Sequence, residues 1–218
     1  MDERTRRTLL LPVLALVWNQ LVYYTGGFLG RDGPFLRMGL PLDRLVPFLP
    51  WTVSIYFGCY FIWAVLYVLM ARQDRTAAYR FFWADFLSKT VCLFFFVFLP
   101  TTLSRPTVAG TTLWDALTRL LYRIDAPRNL FPSIHCLVSW LCFVGARNHR
   151  SFPRWAVWAT ALMAVLVCLS TLTTRQHVAA DVAGGVLLAE LSYAAAGLPR
   201  LLRPYARQMN RLCGGTQD

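Results

Sequence analysis

Six apolar runs, separated by short polar stretches, organise the chain: residues 8–27, 51–71, 81–98, 132–148, 155–171 and 177–198. At ~1.5 Å per residue each covers a hydrocarbon core about 30 Å thick, the fourth only barely. The pattern predicts six membrane-spanning helices with both termini on one side. A different periodicity marks residues 111–124, where Leu113, Leu117, Leu120, Leu121 and Ile124 share one helical face. Asp115, Thr118, Arg119 and Arg123 occupy the other, and Thr112 is placed to cap. That segment reads as a short helix lying in the membrane interface or packed on the protein surface. The expected architecture is an all-α bundle of six transmembrane helices, with the short helix between spans three and four. One membrane-embedded domain covers residues 1–218.

Composition agrees with this pattern. Hydrophobic residues make up 56 % of the 218 positions, above a typical soluble domain, and charged residues only 15 %, well below it. The first run follows the basic start MDERTRR. No small-residue cleavage site comes after it, so it is expected to be a retained helix rather than a signal peptide.

The net charge of +11 comes from 21 arginines and Lys89. Nucleic-acid binding needs such charge gathered on one face, whereas here it is spread in small groups between apolar runs. Thirteen arginines fall on the side of the termini and eight (Arg31, Arg37, Arg44, Arg105, Arg119, Arg123, Arg128, Arg175) on the other. The positive-inside rule therefore predicts a multi-pass protein of the cell membrane with both termini cytoplasmic. The arginine-spaced tail after residue 198 then lies at the anionic inner leaflet.

The chain has six cysteines with no CxxC spacing, so neither a zinc site nor a disulfide framework is expected. Three charged residues lie inside spans: Asp85 and Lys89 in the third, Glu190 in the sixth. Such charges need partners. Lys89 and Glu190 fall at similar depth and are expected to pair, with Asp85, four residues before Lys89, as the competing partner. The small residues Ala179, Ala180, Ala183, Gly184 and Gly185 give the sixth span a face for close helix packing.

The borders of the runs carry the chemistry. His177 and Asp181 are separated by four residues and share a helix face. They form either a polar pair at a helix start or a nucleophile with its orienting carboxylate. Ser133 is a natural N-cap for the fourth span, whose first free N–H groups make an anion site. His135, in that first turn, is placed to protonate a departing alkoxide. By parity these residues and Arg105, Arg128 and Arg175 converge on one non-cytoplasmic mouth. Two histidines, a carboxylate and arginine forks suggest phosphoryl transfer through a phosphohistidine, and the set does not resemble a metal cage.

Three motifs, SRP at 104–106, PSIH at 132–135 and RQHVAAD at 175–181, resemble in order and position those of the type-2 phosphatidic acid phosphatase superfamily. That resemblance implies six membrane helices and metal-independent, cofactor-free chemistry. It makes His177 the nucleophile, Asp181 its partner and His135 the general acid, with Ser133 and Arg105 binding phosphate. The chain departs from the family pattern at Phe98, where lysine stands, at Ile134, where glycine stands, and at Thr171, where arginine stands. Arg175 is the residue expected to supply the missing charge. A basic residue there, with FPSIH upstream, resembles the inositol-phosphotransferase-like branch.

The leading reading is a lipid phosphatase acting on phosphatidic acid, lysophosphatidic acid or a polyprenyl diphosphate. A head-group phosphotransferase using the same machinery is the alternative. A non-catalytic transporter or binder of anionic lipids is the third reading, disfavoured because the six runs show no internal repeat.

Overall fold

The computed structural model describes residues 2–31 and 33–214. Eight α-helices account for most of them: α1 (Glu3–Leu29), α2 (Val53–Ala71), α3 (Arg75–Phe98), α4 (Leu113–Ile124), α5 (Ile134–Arg147), α6 (Arg154–Thr173), α7 (Ala179–Ala196) and α8 (Pro199–Cys213). Local signals set most starts. Asp2 accepts from the Thr5 amide (3.1 Å), Asp74 from Ala77 (2.9 Å) and Ser133 from Cys136 (3.4 Å), each relieving an unpaired N–H of the first turn. At α4 the Thr112 hydroxyl accepts from the Asp115 amide (3.2 Å) while the Asp115 carboxylate accepts from the Thr112 amide (2.9 Å), the reciprocal capping expected for Thr112.

Five helices (α1, α2 with its leading turn, α3, α6 and α7) are long and apolar enough to cross a membrane. The run at 132–148 instead forms the 14-residue α5, ~21 Å long and short of a ~30 Å hydrocarbon core. Its shortness is compatible with its place in the bundle. It packs most extensively against α6 and α7, with Leu137, Leu141, Cys142 and Val144 almost wholly buried. Large apolar side chains face outward on the surrounding helices: Phe61 is 75 % exposed and Trp158 73 %. An apolar exterior over a packed interior is what lipid, rather than water, permits.

The two ends of the bundle differ. At one, Arg7 donates to the carbonyls of Ala71 (3.1 Å) and Gln73 (2.7 Å), and His149 bonds Asp74 (2.8 Å). This end gathers the start of α1, the α2–α3 turn and the α5–α6 turn. The tail forms α8, which packs on α3 and α1. It buries Met209 and Cys213 while leaving Arg200, Arg203, Arg207 and Arg211 exposed. The spacing of those arginines is thus one face of a helix.

The intramembrane charges are partnered differently from the expected Lys89–Glu190 pair. Lys89 lies 2.8 Å from Asp85, whose carboxylate also accepts from Tyr67 (2.5 Å). Glu190 accepts from the Trp140 indole (2.8 Å) and from Arg147 (2.6 Å). Spacing within α3 prevails because residues four apart already share a face, whereas reaching Glu190 requires two helices to align. All six cysteines are free and buried.

Candidate functional site

At the other end of the bundle the loops after α3, α4 and α6 meet the first turns of α5 and α7. The chain reverses after α6 because the Thr171 carbonyl accepts from both the Gln176 amide (2.9 Å) and the His177 amide (3.1 Å). His177 is thereby held immediately before α7. The Asp181 carboxylate accepts from the Val178 amide (3.1 Å) and lies 3.3 Å from His177 Nδ1. Asp181 is 1 % exposed and His177 8 %. With Nδ1 engaged, Nε2 is the nitrogen left to react.

Helix α5 is locked to this pair. The Ser133 amide donates to the Asp181 carbonyl (3.1 Å). The close approach depends on Gly185, where a Cβ would come within 2.6 Å of the Ser133 carbonyl oxygen. One glycine of the small face expected in the sixth span is thus required by contact with α5. Ser133 itself is fully buried under the turn it caps. His135, in the first turn of α5, faces His177 with ring centroids 6.1 Å apart. Tyr56 and Tyr60 of α2 bond its two nitrogens, at 3.3 Å to Nδ1 and 2.8 Å to Nε2.

The arginines separate into two groups. Arg105 donates to the Asp125 carbonyl (2.6 Å) and to the Gln176 side-chain oxygen, and lies over the Tyr122 ring at 4.8 Å. Burial lowers its pKa from the usual arginine value, and the nearby Asp125 charge opposes that shift. Tyr122 is raised by burial to about 12 and donates to the Thr174 carbonyl (2.8 Å). Two buried donors here, Arg105 Nε and Gln176 Nε2, have no hydrogen-bond partner among the described residues. Unpaired buried donors are costly, and an anion beside them would satisfy both. Arg128 is exposed and lines the same cavity as the two histidines.

Arg175 does not join them. Its guanidinium donates to the carbonyls of Asp43 (2.8 Å) and Val46 (2.5 Å), in a separate recess beside Pro41 and Arg44. Its backbone adopts φ 54°, a region unfavourable for a residue with a Cβ, so these two bonds hold a strained turn. Asp43 in turn accepts from the Ala179 amide (2.7 Å) and caps α7.

The cavity measures about 300 Å³ and is lined by Tyr23, Tyr60, Asp125, Arg128, His135 and His177, among others. An apolar groove of about 320 Å³ adjoins it between α1 and α2. The two share Asn19, Gln20, Tyr60 and Trp63, and the groove continues along Leu16, Ala64 and Val68. Motif reading missed Tyr56, Tyr60, Asp125 and Gln176. The first two sit in an apolar run where tyrosine reads as core. Asp125 follows an amphipathic helix, where a carboxylate reads as solvent-facing. Gln176 lay inside a motif but carried no charge.

A helical bundle with an apolar exterior is a membrane protein, and at one end it sets a histidine–aspartate pair beside a second histidine. The sequence model of the PAP2 superfamily matches residues 44–195, and the chain belongs to that superfamily. Members are generally phosphatases, and membership carries phosphatase or phosphotransferase chemistry on phosphorylated lipids in a membrane context. The match does not single out the inositol-phosphotransferase-like branch. Neither the curated proteins nor the solved structures contain a match to the chain.

Proposed function

We propose that the protein is a lipid phosphatase acting through a phosphohistidine on His177, without metal. The observation that carries this reading is His177 held by Asp181 at 3.3 Å and facing His135 across 6.1 Å in one cavity. His177 Nε2 attacks phosphorus, and the P–O bond to the lipid alcohol breaks. His135 gives its Nε2 proton to the departing oxygen. Water then attacks the phosphorus, the P–N bond breaks, and the water's proton returns to His135. Asp181 orients His177 and stabilises its positive charge as the P–N bond forms.

Arg105 Nε and Gln176 Nε2, both lacking partners, suit the non-bridging oxygens, and the α5 N-terminus capped by Ser133 suits the same charge. Arg128 at the rim suits a second phosphate or the rest of a head group. The apolar groove favours a lipid, because it extends from the polar cavity along surface that would otherwise face hydrocarbon. Phosphatidic acid, lysophosphatidic acid and polyprenyl diphosphates are the substrate candidates. In this reading the active site faces the non-cytoplasmic side and the arginine-bearing α8 lies on the cytoplasmic leaflet.

Transfer to an alcohol, as in inositol-phosphotransferase-like enzymes, is the second reading. Asn19, Gln20, Asp125 and Asn129 favour it, since they surround the cavity with more hydrogen-bonding groups than one water needs. The test is phosphate release by purified protein from the three candidate substrates with divalent metal chelated, beside His177→Ala. Release lost in the variant supports the phosphatase. No release from any of them, with product formed only when a polyol is added, replaces it with the transferase.

A further inference from the structure

His177 has its carboxylate in direct contact, whereas His135 has one too, one hydroxyl away. Asp125 closes α4 and belongs to none of the three motifs. Its Oδ1 accepts from Tyr23 (2.7 Å) and its Oδ2 from Tyr56 (3.0 Å), and Tyr56 lies 3.3 Å from His135 Nδ1. We propose that Asp125 and Tyr56 form a positioning relay that fixes the tautomer of His135 and reserves its Nε2 for proton exchange with the oxygens that leave and attack. The proposal rests on the phosphatase reading for the identity of those oxygens.

An ionised carboxylate only accepts, and a phenol has one hydrogen. Tyr56 gives that hydrogen to Asp125, so toward His135 its oxygen can only accept. His135 must therefore carry its hydrogen on Nδ1. Nε2 then holds the lone pair and accepts from Tyr60, 2.8 Å away. Tyr56 is wholly buried while Tyr60 is 49 % exposed at the cavity wall. The first is fixed in place, and the second is the partner that substrate displaces.

The same residue reaches the phosphate clamp. The Asp125 backbone carbonyl accepts from Arg105 (2.6 Å). One turn residue thus orients the general acid through its side chain and the arginine through its main chain. During the reaction no proton moves along the relay. The bound phosphate monoester, entering as its monoanion, passes its proton to His135 Nε2, which becomes an imidazolium; Nδ1–H stays on the Tyr56 oxygen, and Asp125 stabilises the charge at one remove. When the P–O bond breaks, the Nε2 proton goes to the lipid alkoxide. When water attacks phosphohistidine, one of its protons returns to Nε2.

The experiment has two arms. The first is ¹⁵N NMR of histidine-labelled protein, in which only three imidazoles contribute. His149→Asn and His177→Asn assign the His135 signal. The expected result is a neutral His135 with hydrogen on Nδ1, changing to a tautomer mixture in Tyr56→Phe and in Asp125→Asn. The second compares a lipid phosphate with nitrophenyl phosphate, whose leaving group needs no proton. Tyr56→Phe should lower turnover of the lipid ester roughly 10- to 100-fold, part of the ~10²–10⁴ that a positioned acid contributes. The nitrophenyl ester should lose less than about threefold of its release rate in a single turnover.

Hydrogen on Nε2 in the unaltered protein overturns the relay, as does an equal loss on both esters, which marks a structural defect. Unaltered protein that hydrolyses neither ester overturns the phosphatase reading, and the tautomer result is independent of that failure.

Discussion

The main chain of Ser133 donates to the main chain of Asp181 at 3.1 Å, so the N-cap of α5 and the first turn of α7 form one unit. The two segments are far apart in sequence, and each contributes a histidine. Their relative placement is set by backbone, which no surface side chain can disturb. It depends on Gly185, because Ser133 O lies 2.6 Å from where its Cβ would stand and the Leu137 amide 3.1 Å.

Gly185→Ala therefore separates α5 from α7 at the site. Overpacking against backbone costs roughly 1–3 kcal/mol. The expected result is a lower thermal midpoint in detergent together with a fall in phosphate release. A variant that keeps both at the unaltered level removes the claim that this contact sets the site.

His177→Asn removes the proposed nucleophile and should abolish turnover, whereas Asp181→Asn keeps the nucleophile and loses its orienting charge. By the behaviour of other carboxylate–histidine pairs the second loss is about 10⁴-fold. Phosphate release from the best lipid substrate measures both. A non-catalytic binder would instead retain lipid binding in His177→Asn and show no turnover to lose.

The two arginines nearest the RQH motif and the SRP motif should behave in opposite ways. Arg105 keeps an unpaired Nε beside Gln176, whereas Arg175 spends its guanidinium on the Asp43 and Val46 carbonyls. Arg105→Lys should raise KM for a phosphorylated lipid about tenfold or more, because lysine cannot reproduce the planar fork. Arg175→Lys should lower stability by about 1–3 kcal/mol through two lost charge-assisted bonds. Steady-state kinetics beside thermal unfolding of both variants separates the roles, and a raised KM in Arg175→Lys would return that residue to the phosphate site.

How far the sequence reaches can be judged from these same residues. The apolar runs locate five long helices because a period of 3.6 and a length near 20 residues are local properties. Thr112 and Ser133 cap where they were expected to, since capping needs only the next three residues. Local reading fails where the partner is distant. Arg175 reads as a phosphate ligand from its place in the RQHVAAD motif, yet its bonds go to a turn more than 120 residues away in sequence. Tyr56 and Asp125 carried no signal at all, because a tyrosine in an apolar run and an aspartate after a polar helix are both ordinary. Only folding brings them to His135. Run length is least informative at residues 132–148, where the helix that forms has 14 residues and packs against α6 and α7.

The buried ion pair in α3 gives a last test, on stability rather than chemistry. Lys89 is 3 % and Asp85 1 % exposed at the side chain, and they are 2.8 Å apart. Removing one partner leaves the other charge buried without compensation, at a cost of about 3–5 kcal/mol. Lys89→Met alone should therefore destabilise strongly, and Lys89→Met with Asp85→Leu should recover most of the loss. Glu190→Gln, whose bonds are to Trp140 and Arg147, should add to Lys89→Met without coupling, because the two share no partner. Unfolding in detergent across these four variants and the unaltered protein measures the recovery and the Lys89–Glu190 coupling. A coupling between Lys89 and Glu190 larger than about 0.5 kcal/mol would mean that the two charges meet after all.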